Sequence, residues 1–447
     1  MKIAFISLGC DKNRVNTEQM MALCQAAGHE VTGEPDGADV AVVNTCGFID
    51  SAKEEAIATI LEVAPLKETG RLKKLLVAGC LSQRYQDEVL TELPEVDGIL
   101  GTGSYTDIVS AAEAAMAGET PKLFGDIDRT VEDGARLVST PSYTAFLKIA
   151  EGCNNRCAFC VIPSLRGRYR SRPMESLLAE AGQLAGAGVK ELILVAQDIT
   201  RYGTDLYGRH ALPELLRELC RLDFHWIRLH YFYPDEVTDE LIEVVASERK
   251  IVKYLDIPLQ HCNDGILKAM NRRGTKAQIE ALLGKLRARI PGLVIRTSII
   301  CGLPGEGEAE FEELCGFLRE NALERAGVFA FSPEEGSPAA DMPDQVPEDV
   351  KRRRVELLTD LQMRIVDDYC ANMVGKVIEV LCEGYDDETE LYYGRSAADS
   401  PDIDGLVHFE GEEGGVRPGG FYRVKVTNFY DGELVGVRYD DDEEEAQ

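Results

Sequence analysis

Cysteine spacing constrains this chain more than any other feature. Cys153-Asn154-Asn155-Arg156-Cys157-Ala158-Phe159-Cys160 puts three thiols on one short segment. With 13 cysteines in 447 residues, chance supplies partners at both +4 and +7 in about one such chain in a hundred. A zinc site wants four ligands, usually from paired Cys-x2-Cys runs or histidines, and none of the six histidines falls here. Three core thiols do not suit the polar Asn154, Asn155 and Arg156 between them. A dithiol redox pair at Cys157 and Cys160 would leave Cys153 redundant. Three thiolates on a short loop suit a cubane iron–sulfur cluster whose fourth iron lacks a protein ligand and is open to a small molecule.

The setting of the segment sharpens this reading. From Tyr143, apolar runs at 143–150, 191–197, 226–233, 253–259, 293–300 and 326–332 alternate with helical patterns. Eight strands would close a β/α barrel, so six predict a partial, laterally open one, with the cysteine loop at the carboxyl end of its first strand. Gln197 and Asp198 end the second strand and are placed there to contact cofactor or substrate. Arg166, Arg168, Arg170 and Arg172 alternate after the loop, and guanidiniums suit the carboxylates of a cofactor or substrate.

Upstream, strands at 3–8, 40–43 and 74–78 alternate with helices at 16–27 and 51–63, which predicts a doubly wound parallel α/β sheet. Cys10, Cys46 and Cys80 each follow one of these strands, so all three belong to one carboxyl edge, where open α/β sheets bind ligands. Gly9, Gly47 and Gly79 beside them permit tight turns. Glycine is common at strand ends, and two readings stand: apolar thiols brought there by chance, or a second cluster. The other seven cysteines read as buried apolar residues, with Cys262 beside His261 the one to check.

The expected organisation is an α/β domain over 1–115, a linker over 116–138, the partial barrel over 139–371, a small antiparallel β-barrel over 372–439 with strands at 376–381, 405–409, 422–427 and 434–439, and a disordered acidic tail over 440–447. Net charge is −30, an unfavourable endowment for binding bare nucleic acid by counterion release. Residues 371–447 carry 20 acidic and 6 basic side chains, a surface that attracts a basic protein. No apolar run approaches a membrane span, so no membrane partner is expected. An odd cysteine count with no signal segment ahead of it predicts a reducing cytoplasm.

With Phe159 before its last cysteine, the 153–160 run resembles the signature of radical S-adenosylmethionine enzymes. Cys301-Gly302-Leu303-Pro304-Gly305-Glu306-Gly307-Glu308 resembles that superfamily's Gly-rich segment. The three-cysteine domain, radical core and terminal barrel together resemble the methylthiotransferases over nearly the whole chain. Leu8-Gly9-Cys10-Asp11-Lys12-Asn13, Ile162-Pro163-Ser164-Leu165-Arg166-Gly167, Tyr254-Leu255-Asp256-Ile257-Pro258-Leu259-Gln260-His261, Phe331-Ser332-Pro333-Glu334-Glu335-Gly336 and Pro401-Asp402-Ile403-Asp404-Gly405 are similar to members acting on small-subunit ribosomal protein S-12. Asp11 stands where many relatives carry proline.

The resemblance implies two 4Fe-4S clusters, one on Cys153, Cys157 and Cys160 and one on Cys10, Cys46 and Cys80. It implies S-adenosyl-L-methionine as radical source and methyl donor, bordered by Phe159, Gly302, Pro304 and Gly305, and a terminal barrel of the TRAM type that binds substrate. The reaction it implies is methylthiolation of an aspartate β-carbon in the basic S-12 protein, with Arg166, Arg168 and Arg170 as candidate substrate contacts. An unactivated C–H bond offers no useful acidity, so a cofactor radical is required. A low-potential electron donor is implied as a partner, and nucleic acid only as ribosome context. The rivals are a tRNA adenosine methylthiotransferase, a two-cluster electron carrier without catalysis, and a structural acidic adaptor.

Overall fold

A computed structural model describes residues 1–129, 134–412 and 414–440. The expected acidic tail therefore lies, apart from Asp440, outside the described residues. The first sheet is parallel, in the order β2-β1-β3-β4-β5-β6. Its strands are β1 (Lys2–Ser7), β2 (Glu30–Thr32), β3 (Val40–Thr45), β4 (Lys74–Gly79), β5 (Gly98–Leu100) and β6 (Lys122–Leu123). Helices cover both faces, so a central strand such as β3 is buried at every residue and reads as a continuous rather than alternating apolar run. β6 pairs with β5, so this sheet extends into the stretch expected to be linker.

The second sheet is also parallel and has six strands, in the order β7-β10-β11-β12-β13-β14. They are β7 (Thr144–Lys148), β10 (Glu191–Val195), β11 (Trp226–Leu229), β12 (Ile251–Asp256), β13 (Val294–Cys301) and β14 (Arg325–Ala330). Between its first two strands β8 (Ala150–Glu151) pairs antiparallel with β9 (Arg170–Ser171) and ties off the cysteine loop. β11 stops short of the expected Tyr233, because Tyr231 turns into the left-handed region at φ 66°.

The helix Glu348–Met373 packs on β14 and leads to a closed barrel, β15-β16-β17-β19-β18. Its strands are β15 (Val377–Asp386), β16 (Leu391–Ser396), β17 (Val407–Glu410), β18 (Phe421–Tyr430) and β19 (Glu433–Arg438). The barrel docks on the core through Glu191, which is fully buried between Arg228 at 2.8 Å and Arg395 at 2.6 Å. Burial raises a carboxyl pKa, but these two guanidiniums outweigh it and hold Glu191 at about 2. Trp226 meets Phe421 edge-on at 4.8 Å at the same junction. No helix among the described residues is long and apolar enough to cross a membrane.

Candidate functional site: two cysteine trios

Cys153, Cys157 and Cys160 occupy the loop between β8 and β9, at the carboxyl end of the core sheet. Gly152 opens the loop at φ 79°, where a Cβ would strike the Arg168 carbonyl, so only glycine fits. The Cys153 N–H donates to the Gly167 carbonyl at 3.1 Å, and the Ala158 N–H to the Met270 carbonyl at 2.9 Å. Asn271 donates to the Arg156 carbonyl at 2.8 Å. Arg272 places an N–H 3.6 Å from the Cys157 sulfur. Nothing in the cysteine spacing pointed to Arg272; the only trace is the Arg272-Arg273 pair in a loop. Burial pushes the Cys153 thiol up to about 11, with smaller upward contributions from Asp198 and Cys157.

The second trio is assembled from three strands that lie side by side. Cys10 follows β1 and caps the helix Asp11–Ala26, Cys46 follows β3, and Cys80 opens the helix Cys80–Tyr85 after β4. Ser7 is in register with Asn44, and Asn44 with Ala78, so the three thiols share one edge. A Cβ on Gly9, which sits at φ 82°, would fall 2.6 Å from the Cys46 Cβ. Burial pushes the Cys46 thiol up to about 11, and charge on Cys10 and Cys80 adds to it. Each sulfur is therefore electrostatically close to the other two.

These donor sets fit a three-thiolate cluster. Among the described residues no three His, Cys, Asp or Glu side chains gather as they would around a single ion. A cubane takes one thiolate on each of three irons, and each trio offers that number of thiols.

Arg166 joins the two trios. It is buried, and its guanidinium donates to Asn13 and, at 3.0 Å, to Asn16 on the helix after Cys10. It also lies 3.3 Å from Glu151 and 3.4 Å from the Cys80 sulfur. Val161, next in sequence to Cys160, packs against Cys80 and Leu165. Glu151 is held well below the ordinary carboxylate range, since Lys148 and Arg166 outweigh the cost of its burial. Arg168 and Arg170 point elsewhere. The first is exposed and paired to Asp128 at 3.0 Å, and the second lies 3.6 Å from the same carboxylate. The three separate because Arg166 closes the short helix Ile162–Arg166, and Gly167 at φ 73° then redirects the chain before Arg168.

The residues expected around the first trio divide in the same way. Gln197 donates to Glu151 at 2.7 Å, whereas Asp198 accepts from Asn155 of the cysteine loop at 3.0 Å. Burial raises the pKa of Asp198. Phe159 packs with Ala158, Leu303, Met270 and Phe331, which brings the Gly-rich segment against the cysteine loop. Gly302 sits at φ 76° and its N–H donates to Glu306 at 2.9 Å, Gly305 donates to the Asp344 carbonyl at 3.0 Å, and Pro304 between them is buried. Cys262 is buried in the main apolar core.

Three family models match the chain: Uncharacterized protein family UPF0004 over residues 2–101, the Radical SAM superfamily over 147–318 and the TRAM domain over 374–438. The chain is 50% identical over 434 residues to ribosomal protein uS12 methylthiotransferase RimO of Anaeromyxobacter sp. (strain Fw109-5), covering 96% of this chain and 91% of the relative. It is 48% identical to the protein of that name from Lachnoclostridium phytofermentans, covering 98% and 100%. Among solved structures it is similar in fold to the radical S-adenosylmethionine methyltransferase TsrM from Kitasatospora setae, with a TM-score of 0.56 and 13% identity over 76% of this chain and 73% of that one.

Proposed function

Because the chain belongs to the ribosomal protein uS12 methylthiotransferase family of radical S-adenosylmethionine enzymes, we propose that it attaches a methylthio group to the β-carbon of an aspartate in that ribosomal protein. What supports this most is identity of 48–50% along nearly the full length, with both cysteine trios set at open sheet edges. The superfamily implies S-adenosylmethionine and a 4Fe-4S cluster, which together supply a radical able to take hydrogen from an unactivated C–H bond.

Cys153, Cys157 and Cys160 would hold that cluster, and Cys10, Cys46 and Cys80 a second one. Arg272 and Arg166 each direct an N–H at one thiolate, which stabilises its charge. Phe159, Gly302, Pro304, Gly305, Gln197 and Asp198 would border the cofactor. Arg166 acts as a strut between the trios rather than as a substrate contact. The domains 1–115, 139–371 and 372–439 would carry the second cluster, the radical chemistry and the grip on substrate. The acidic terminal barrel suits a basic ribosomal protein, and a low-potential electron donor in the cytoplasm would supply the electrons.

The deciding experiment is incubation of reconstituted enzyme, reductant and S-adenosylmethionine with S-12 and, separately, with tRNA. A gain of about 46 Da on an aspartyl peptide, as the radical chemistry requires, is expected. A gain on tRNA adenosine with none on the protein would sink the reading.

A further inference from the structure

The floor between the two trios holds one buried cation with no carboxylate in ion-pair contact. Lys12, two residues after Cys10, is only 6% exposed. Its ammonium lies 3.4 Å over the Tyr231 ring, and no carboxylate among the described residues forms an ion pair with it. Of the nearby carboxylates, Asp11 acts on the ammonium without ion-pair contact, and Asp256 is taken by other donors. Asp11 faces His230 at 3.9 Å, and Asp256 binds Arg296 at 2.9 Å and the Tyr231 N–H at 3.2 Å. The other buried cations of the region are matched: Arg166 and Lys148 by Glu151, and Arg228 by Glu191.

A buried ammonium with no carboxylate in direct contact is only partly compensated, here by one aromatic face and by the more distant charge of Asp11 and Cys10. Tyr231 is itself fixed for this contact. Its backbone sits at φ 66°, and its carbonyl accepts from the Ile199 N–H at 3.1 Å, just past Gln197 and Asp198. The ring thus stands at the carboxyl end of the core sheet, the edge from which the Cys153–Cys160 loop also departs. Lys12 reaches it from the cysteine edge of the other sheet.

We infer that Lys12 receives the side-chain carboxylate of the substrate aspartate and so sets the enzyme's preference for an acidic acceptor. The inference rests on the proposed S-12 reading and adds a recognition residue to it. A carboxylate seated on Lys12 keeps the adjacent methylene between the two cysteine-bearing edges. It also gives the ammonium a contacting carboxylate, and an uncharged acceptor cannot.

The test is a cycle of enzyme and substrate variants on the cluster-loaded protein, read as binding affinity. Wild-type enzyme, Lys12→Met and Lys12→Arg are each titrated with S-12 and with S-12 whose acceptor aspartate is replaced by asparagine. Iron content and the electron paramagnetic resonance spectrum of each enzyme are recorded alongside. The wild type should prefer aspartate by about tenfold or more, as expected when a site built for a polar group meets an analogue lacking it. Lys12→Met should bind the two forms within about twofold with its iron and spectrum unchanged, and Lys12→Arg should restore most of the preference. An undiminished aspartate preference in Lys12→Met, or the loss of half its iron, would overturn the inference and make Lys12 a support of the second cluster. If wild-type enzyme fails to modify S-12 at all, the underlying reading falls instead.

Discussion

The two cysteine trios reach similar ends by opposite routes. Cys153, Cys157 and Cys160 share one loop, so their proximity is covalent and survives local disorder of the rest of the sheet. Cys10, Cys46 and Cys80 are brought together only when β1, β3 and β4 lie side by side in register. The first trio is a property of a segment and the second of a fold. Any disturbance of the N-terminal sheet should therefore empty the second site before the first.

The largest effect should come from Cys157→Ala, which should abolish 5′-deoxyadenosine formation, measured by chromatography after reduction with S-adenosylmethionine. Cys46→Ala should retain that product and lose methylthiolation. Its iron content should fall from about eight per chain to about four, as one cubane is lost. Unchanged iron in Cys46→Ala would erase the distinction between the trios.

Gly9→Ala probes the dependence of the second trio on fold. A methyl group there meets the Cys46 Cβ at 2.6 Å from a backbone at φ 82°, a cost of about 2–4 kcal/mol in strain and overpacking. Iron at the N-terminal site should drop selectively, and a parallel loss at both sites would count against the comparison.

Smaller shifts should separate the two arginines that face sulfur. Arg272→Leu removes an N–H and a positive charge from beside Cys157, and the potential of that cluster should fall by on the order of tens of mV, read by redox titration. Arg166→Leu does the same at Cys80 but also severs Asn13, Asn16 and Glu151, so weaker docking of the two domains should accompany its shift.

The smallest expected change is a pH effect that spares both trios. Glu191 has its pKa lowered to about 2 by Arg395 and Arg228. Its contribution to core–barrel docking is therefore complete above the ordinary glutamate range and is lost as pH falls from about 4.5 toward 2. Trp226, the single tryptophan, packs on the barrel's Phe421. Its fluorescence should stay constant from pH 7 to 5 and change below about 4.5.

The elements that escaped sequence reading share a physical cause. β2, β5 and β6 are two or three residues long, too short for an alternating pattern to register. β16 runs Leu-Tyr-Tyr-Gly-Arg-Ser, and its buried half, Gly394-Arg395-Ser396, contains no large apolar residue; the charge is buried because Glu191 waits across the interface. The helix after Cys10 starts at Asp11, ahead of the expected Asn16, because Cys10 caps it with no side-chain hydrogen bond to announce the start. Residue type and spacing singled out the Cys153–Cys160 trio directly, whereas for Cys10, Cys46 and Cys80 they left chance and a second cluster both open. The site was not legible where a residue acts on a distant segment, as Arg272 does on Cys157, and Arg166 was singled out by the sequence without its contact to Cys80.

The sequence by itself determined the cysteine spacing, the six-strand core and the acidic terminal barrel, since thiol chemistry, periodicity and net charge are written residue by residue. Only the tertiary structure decided that Arg166 ties the trios together while Arg168 turns outward, and that Lys12 is buried over the Tyr231 ring. Burial, and with it the energy of a charge, depends on which distant segments come to surround it.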